Sequence, residues 1–148
     1  MKMSFVRVSS IVLSLAAICG CGGSESTAPS VPITGFYAAT EFVTTGSSGQ
    51  TNQILAGSTL DLILVANGTM SGQLHMAASG GNPAFDDDMN GTWTQTGNTI
   101  AFSQTADAFF RNVTFTVVPN VNSWQLAGDQ TFSGTQVRLK LRQVIVYE

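Results

Sequence analysis

Asn90-Gly91-Thr92-Trp93-Thr94-Gln95-Thr96-Gly97-Asn98-Thr99-Ile100-Ala101-Phe102-Ser103-Gln104 holds two short alternating runs on either side of Gly97-Asn98. Gly91, Trp93 and Gln95 alternate with threonines; Ile100 and Phe102 alternate with Thr99, Ala101 and Ser103. Alternation with period two, broken by Gly-Asn, predicts a β-hairpin. Successive strand side chains point to opposite faces, and glycine and asparagine tolerate the positive φ of a tight turn. A two-residue turn at Gly97-Asn98 sets Trp93 opposite Phe102 and Gln95 opposite Ile100, so the aromatics share one face and the threonines the other.

The rule repeats outward from this hairpin. Strand-like runs cover 35–44, 58–65, 69–77, 89–96, 99–104, 109–118, 123–133 and 136–146. No segment has convincing helical periodicity, although Ile54-Leu55 lies in a stretch able to form a helical turn. Parity tests each connection. Leu64 aligns with Met70 and Leu60 with Leu74 if 66–68 is a three-residue loop with Gly68 left-handed. A four-residue loop at 119–122 pairs Val117 with Trp124 and Phe115 with Leu126, and a two-residue turn at Gly134-Thr135 pairs Phe132 with Val137. The fold class is therefore all-β: an antiparallel eight-stranded up-and-down meander, closed into a barrel because closure removes both sheet edges. A sandwich of two four-stranded sheets is the alternative.

The chain has 148 residues, 43% of them hydrophobic and 10% charged, which suits one small globular domain. Part of that apolar content lies in the N-terminus. Lys2 and Arg7 precede an apolar run at 11–18 that is too short to span a bilayer and reads as a secretory signal. Ile18-Cys19-Gly20-Cys21 resembles the bacterial lipobox. That resemblance implies cleavage before Cys21, diacylation of Cys21 and acylation of the new amino terminus. Two or more acyl chains anchor stably where one is marginal. Residues 1–20 are then a signal peptide, 21–32 the lipidated cysteine and a flexible Gly/Ser/Pro-containing tether, and 33–148 the barrel domain. Gly22 is not the aspartate that retains such proteins in the inner membrane, so the outer membrane is the expected location. Cleavage removes two of the six basic residues and none of the nine acids, leaving a net charge of −5. An acidic chain with four cations is a poor nucleic-acid binder.

Gly35-Phe36-Tyr37 in the first run and Gly91-Thr92-Trp93 in the middle resemble the small bacterial lipocalin-like lipoproteins of the calycin group. The resemblance spans roughly 33–146 and implies an eight-stranded barrel, without naming a ligand. In that group a last-strand arginine packs on the first-strand aromatic; Arg142 is the rough match here, and its parity points it outward.

In a meander the odd-numbered connections lie at one end. These are 44–57, 78–88, 105–108 and the turn at 134–135, so long loops ring one mouth, away from the tether. In lipocalin-like barrels the first long loop acts as a lid, and the resemblance implies that role for Gly46-Ser47-Ser48-Gly49 with Ile54 and Leu55. Inward parity brings Glu41, Arg111 and Gln130 toward this mouth, where Arg111 would meet a ligand's acidic head and Phe109 and neighbouring aromatics its apolar body. A mouth-level Glu41–Arg111 ion pair, or a bulge turning Arg111 outward, is the plainer reading. The interior is either a cavity or a space filled by Tyr37, Trp93, Phe102, Phe115 and Trp124. Asp86-Asp87-Asp88 reads as a solvated acidic loop, since consecutive carboxylates do not converge on one cation. His75 falls on the polar face, and Arg138, Lys140 and Arg142 form one solvated strand face.

The sequence thus points to a monomeric, membrane-anchored, lipocalin-like lipoprotein that binds a small apolar or amphipathic ligand in its barrel. The alternative is a protein-interaction module, such as a periplasmic protease inhibitor or envelope assembly accessory, using Ile54, Leu55 and Phe85 around the mouth of a filled barrel. No metal or cofactor is expected, nor a nucleic-acid partner, nor an enzyme activity, because no nucleophile–base pair is recognisable.

Overall fold

Alternating apolar and polar residues give nine strands, all antiparallel: β1 (Gly35–Gly46), β2 (Gly49–Asn52), β3 (Thr59–Leu64), β4 (Thr69–Met76), β5 (Phe85–Thr96), β6 (Thr99–Gln104), β7 (Thr114–Asn120), β8 (Ser123–Phe132) and β9 (Thr135–Gln143). The structure is a computed structural model and describes residues 32–79, 81–106, 111 and 113–145. Cys21 and Phe109 lie outside them. The sheet order runs β2-β1-β3 and onward to β9, and β9 pairs again with β1. Eight strands therefore close into an up-and-down barrel. The ninth, β2, is an addition: the first long loop folds back at Ser47-Ser48, and β2 pairs with the upper end of β1 from Gly46↔Gly49 to Val43↔Asn52.

The middle hairpin has the expected register, Trp93↔Phe102 and Gln95↔Ile100. So does the β3–β4 hairpin, with Leu64↔Met70, Leu60↔Leu74 and Gly68 at φ +83°. Two other turns are tighter or shifted. The β7–β8 turn is the pair Val121-Asn122, which puts Val117 opposite Leu126 and Pro119 opposite Trp124. The β8–β9 turn is Ser133-Gly134, with positive φ at both residues, and pairs Phe132 with Thr135 and Gln130 with Val137. Both shifts are by two residues. A shift of two moves neighbours along the ladder without exchanging the faces, so the inside set survives.

A one-residue irregularity does exchange them. β1 pairs Ala39 with Leu141 but Glu41 with Lys140, leaving Thr40 as a bulge. Below it Tyr37 faces in; above it Phe42 and Thr44 do. Continuous alternation from Tyr37 would have buried Glu41 and exposed Phe42. One extra residue buries the phenylalanine and leaves the carboxylate outside, avoiding the cost of desolvating an acid.

Among the described residues nineteen apolar side chains are buried, and every barrel strand contributes to them. The filling is tight where glycines face inward. A Cβ on Gly128 would lie 2.8 Å from the Phe115 ring, and one on Gly72 would overlap the Asp61 carbonyl oxygen. Glycines at such positions allow close approach of a neighbour and let a barrel strand bend. Gly128→Ala is expected to cost about 1–3 kcal/mol through overpacking. Phe115→Leu in the same chain should recover part of that loss, which denaturant melts in a double-mutant cycle will measure.

The end where the chain enters is closed by polar contacts. The Gln143 amide donates to the carbonyls of Pro32 (2.7 Å) and Thr34 (2.9 Å), and its own carbonyl accepts from the Trp124 backbone N–H. Gln143, not Arg142, lies opposite Tyr37; Arg142 faces outward as its parity requires. The Tyr37 hydroxyl donates to the Ile33 carbonyl at 2.5 Å, and burial holds its pKa well above the usual tyrosine range. An acid whose folded pKa is raised favours folding below its unfolded pKa. That stability is fully present below about pH 10 and is lost above it, by up to about 1.4 kcal/mol per pH unit. Tyr37→Phe should flatten this alkaline decline in denaturant melts taken between neutral and strongly basic pH.

Candidate functional site

The described parts of the long connections lie at one end, as the meander requires. A cleft of about 570 Å³ opens there, between the β1–β2 hairpin, the 77–84 connection and the β8–β9 turn. Thr44 and Gln53 line its inner side, Met76, Pro83 and Phe85 its apolar side, and Ser79 and Asn82 its rim. The 77–84 connection is held in shape by reciprocal backbone hydrogen bonds between Ser79 and Asn82.

Gln53 organises the floor. Its backbone N–H donates to the Phe42 carbonyl at 2.8 Å, and its carbonyl accepts from Ser58 N–H at 2.8 Å. Its amide donates to Thr44 Oγ1 at 2.7 Å and accepts from Ser58 Oγ at 3.3 Å, while Ser58 Oγ accepts from the Ala77 N–H at 3.0 Å. This buried chain ties the end of β2 to β1, β3 and β4. Buried polar groups with full sets of partners fix one arrangement. The lid expected from the first long loop is thus a folded one. Asn52 accepts the Leu55 N–H, Ile54 packs on the core, and Leu55 projects to 85% exposure.

Of the described residues singled out from sequence, Phe85 alone lines this cleft. Gln130 faces inward near the same end, opposite Val137. Glu41 does not join them: the Thr40 bulge turns it to the outer face, where it pairs with Lys140 and lies 4.0 Å from Arg138. Arg111 lies exposed in a turn, while Glu41 is turned to the outer face by the bulge. Solvated ion pairs such as those of Glu41 contribute little stability. Arg138 also donates to Asp129 at 3.2 Å, so Arg138 and Lys140 on the outer face of β9 are met by acids from both neighbouring strands.

The acidic run is strand rather than loop. β5 starts at Phe85, so Asp86 and Asp88 point outward opposite His75 and Gln73, and Asp87 falls on the inner face opposite Leu74. Alternation separates the three carboxylates onto two faces. His75 Nδ1 lies 2.6 Å from Asp86 Oδ1 on the outer surface.

Thr44, Gln53 and Ser58 were missed from sequence. A signal existed: one skipped residue after Ala39 places Phe42 and Thr44 inside together and pairs Glu41 with the basic outer face of β9. The family models, the curated proteins and the solved structures contain no match to this chain.

None of the described residues lining the cleft is charged. A ligand's charge would be left there without a counter-ion, at a steep desolvation cost. Side-chain hydroxyls and amides with an aromatic ring and a thioether on the opposite wall suit a neutral molecule with one polar and one apolar side.

Proposed function

We propose that this protein is an envelope lipoprotein that holds a small, neutral, amphipathic molecule in the mouth of a lipocalin-like barrel. The observation that carries this reading is the uncharged cleft at the loop end. It differs from the expected site in depth: buried side chains occupy the barrel's middle, and the ligand sits at the rim above Gln53. The lipobox-like Ile18-Cys19-Gly20-Cys21 supports anchoring at the opposite end, which would hold the mouth away from the membrane. The Gly35-Phe36-Tyr37 motif and the closed eight-stranded barrel support the lipocalin-like assignment.

Native mass spectrometry of the mature protein purified from its host's envelope tests this. A stoichiometric small-molecule adduct, released on denaturation, is expected. Phe85→Ala should weaken its binding by about tenfold, the loss of one apolar contact of roughly 1.4 kcal/mol. A clean apo mass that persists after incubation with envelope extract rejects the carrier reading.

A second reading has its own observation. Leu55 at 85% exposure and Phe85 at 44% present apolar side chains at the loop end, as a protein-interaction module would. If the protein is found apo, Leu55→Asp abolishing co-purification of a defined envelope protein would favour that reading.

A further inference from the structure

Eight large apolar side chains are exposed among the described residues, and they are unevenly placed. Leu55 and Phe85 belong to the mouth. The other six, Phe36, Ile63, Val65, Val118, Val121 and Val144, lie at or near the opposite end, where the chain enters the barrel. Val121 is 82% exposed at the tip of the β7–β8 turn. Val144 donates its backbone N–H to the Phe36 carbonyl, and Phe36 is paired with Ile63, so these three form one continuous outer row. Around the rim the apolar residues make an arc from β7 across β9 and β1 to β3. The β5–β6 turn, by contrast, is bordered by Thr96 and Thr99.

Three further features lie on this end. Both tryptophans are there and half-buried: Trp124 follows the Val121 turn, and the Trp93 indole donates to the Val65 carbonyl at 2.9 Å. Tryptophan, apolar in body with a polar tip, favours the boundary between hydrocarbon and water. A cleft of about 350 Å³ lies beside Val121 and Val144, lined by exposed Arg142 and by Ser123, whose buried hydroxyl has no hydrogen-bond partner. Finally, the turns at this end, 66–68, 97–98 and 121–122, carry no charge, whereas Asp86, Asp88 and Asp129 lie toward the mouth.

We infer that this end is a membrane-docking surface: the arc centred on Val121 enters the interfacial layer of a phospholipid bilayer, and a lipid phosphate occupies the cleft at Arg142 and Ser123. The proposal goes beyond the mouth site and uses the anchor reading only for proximity. Cys21 is eleven residues before Pro32. Eleven residues reach no more than about 40 Å even when fully extended, so an acylated Cys21 would keep this face at high local concentration against the bilayer. Charge agrees with the orientation on the Val121–Val144 side, where an anionic surface attracts Arg142; Asp61 and Asp88, which share an outer cleft with Phe36 and Ile63, limit how far the β1–β3 side approaches. An arc on one side of the rim, rather than a full ring, makes the barrel lean toward the β9–β1–β3 side.

Tryptophan emission reads the contact directly. The full mature chain is mixed with phosphatidylethanolamine/phosphatidylglycerol vesicles carrying bromine high on the acyl chains, and quenching relative to unbrominated vesicles is expected. Val121→Asp should lower the vesicle partition by about tenfold or more, the equivalent of one buried valine side chain. Arg142→Gln should weaken it and remove most of its salt sensitivity. Leu55→Asp, equally exposed at the other end, should change nothing. Val121 is a solvent-exposed turn residue, and an unchanged near-ultraviolet circular dichroism spectrum will show that Val121→Asp folds. The mass of the mature N-terminus reports acylation separately, so a failed anchor and a failed dock leave different records. Emission indifferent to bromine, quenching unaffected by Val121→Asp, or a photo-crosslinker at position 121 that captures protein instead of lipid in the envelope would each overturn the proposal.

Discussion

Gly91→Ala is expected to destabilise the barrel by about 3 kcal/mol or more, the upper end of what overpacking costs. Gly91 lies opposite Gln104 in the β5–β6 ladder. A Cβ there would overlap the Ser103 carbonyl oxygen and sit 2.7 Å from Gln104 Cα. Both are backbone atoms, so no side-chain rotation can make room. This distinguishes the position from Gly128, whose obstacle is the Phe115 ring and can be trimmed by mutation. Among the described residues the β6–β7 ladder beyond it has three residue pairs, Thr99↔Thr116 to Ala101↔Thr114, with one further backbone hydrogen bond at each end. Displacing β6 to accommodate a methyl group therefore threatens closure of the barrel as well as one hairpin. For a domain of this size the loss corresponds to a fall in melting temperature of roughly 10 °C or more, measurable by calorimetry. A Gly91→Ala variant that melts within about a degree of the wild type would show that β5 and β6 are not so closely apposed.

Gln53→Ala should be the most damaging change at the mouth. It removes a side chain that is 5% exposed and withdraws partners from Thr44 Oγ1 and Ser58 Oγ. Leaving buried polar groups without partners costs about 1–3 kcal/mol, and the vacated space adds a cavity term, so a total near 3 kcal/mol is expected. The effect should also be local. Without the amide, β2 and the 53–57 turn are joined to the barrel mainly by Ile54 packing and the β1–β2 ladder. Hydrogen exchange at 49–58 should then accelerate ahead of the β8–β9 core, because partial opening of this flap no longer breaks the buried network. If exchange in the flap and the core accelerate equally, the network stabilises the whole fold and not the lid. Gln53→Glu provides a sharper probe, since it keeps the size and the oxygen but replaces the donor to Thr44.

These two sites also separate local from tertiary information. Strand type, the inside face of most strands and the β3–β4 and β5–β6 registers follow from alternation plus one turn residue. Gly68 and Gly97-Asn98 accept positive or tight-turn dihedrals, and a hairpin of known turn length has only one register. That is why the eight-stranded meander is legible from the chain itself, and why Leu60, Leu62 and Leu64 fall on one face. The mouth was legible too, because the odd connections of a meander must share an end; Phe85 was found by that argument.

What escaped local reading was every point where burial across the barrel outweighed the alternation of a single strand. The Thr40 bulge exists because Phe42 gains more from the interior than Glu41 could, and its phase is set by β9, far along the chain. The two-residue shift at Val121-Asn122 brings Gly128, not Leu126, against Phe115, a fit visible only when β7 and β8 are packed around a common axis. Gln53 carries no local signature, and its amide reaches Thr44 and Ser58 only because β2 folds back. The sequence alone determined the strands and the end at which they open, because both depend on neighbours in the chain. Which polar side chains turn into the mouth and which apolar ones remain on the rim was decided by the closed barrel, because side chains far apart in sequence compete there for one interior.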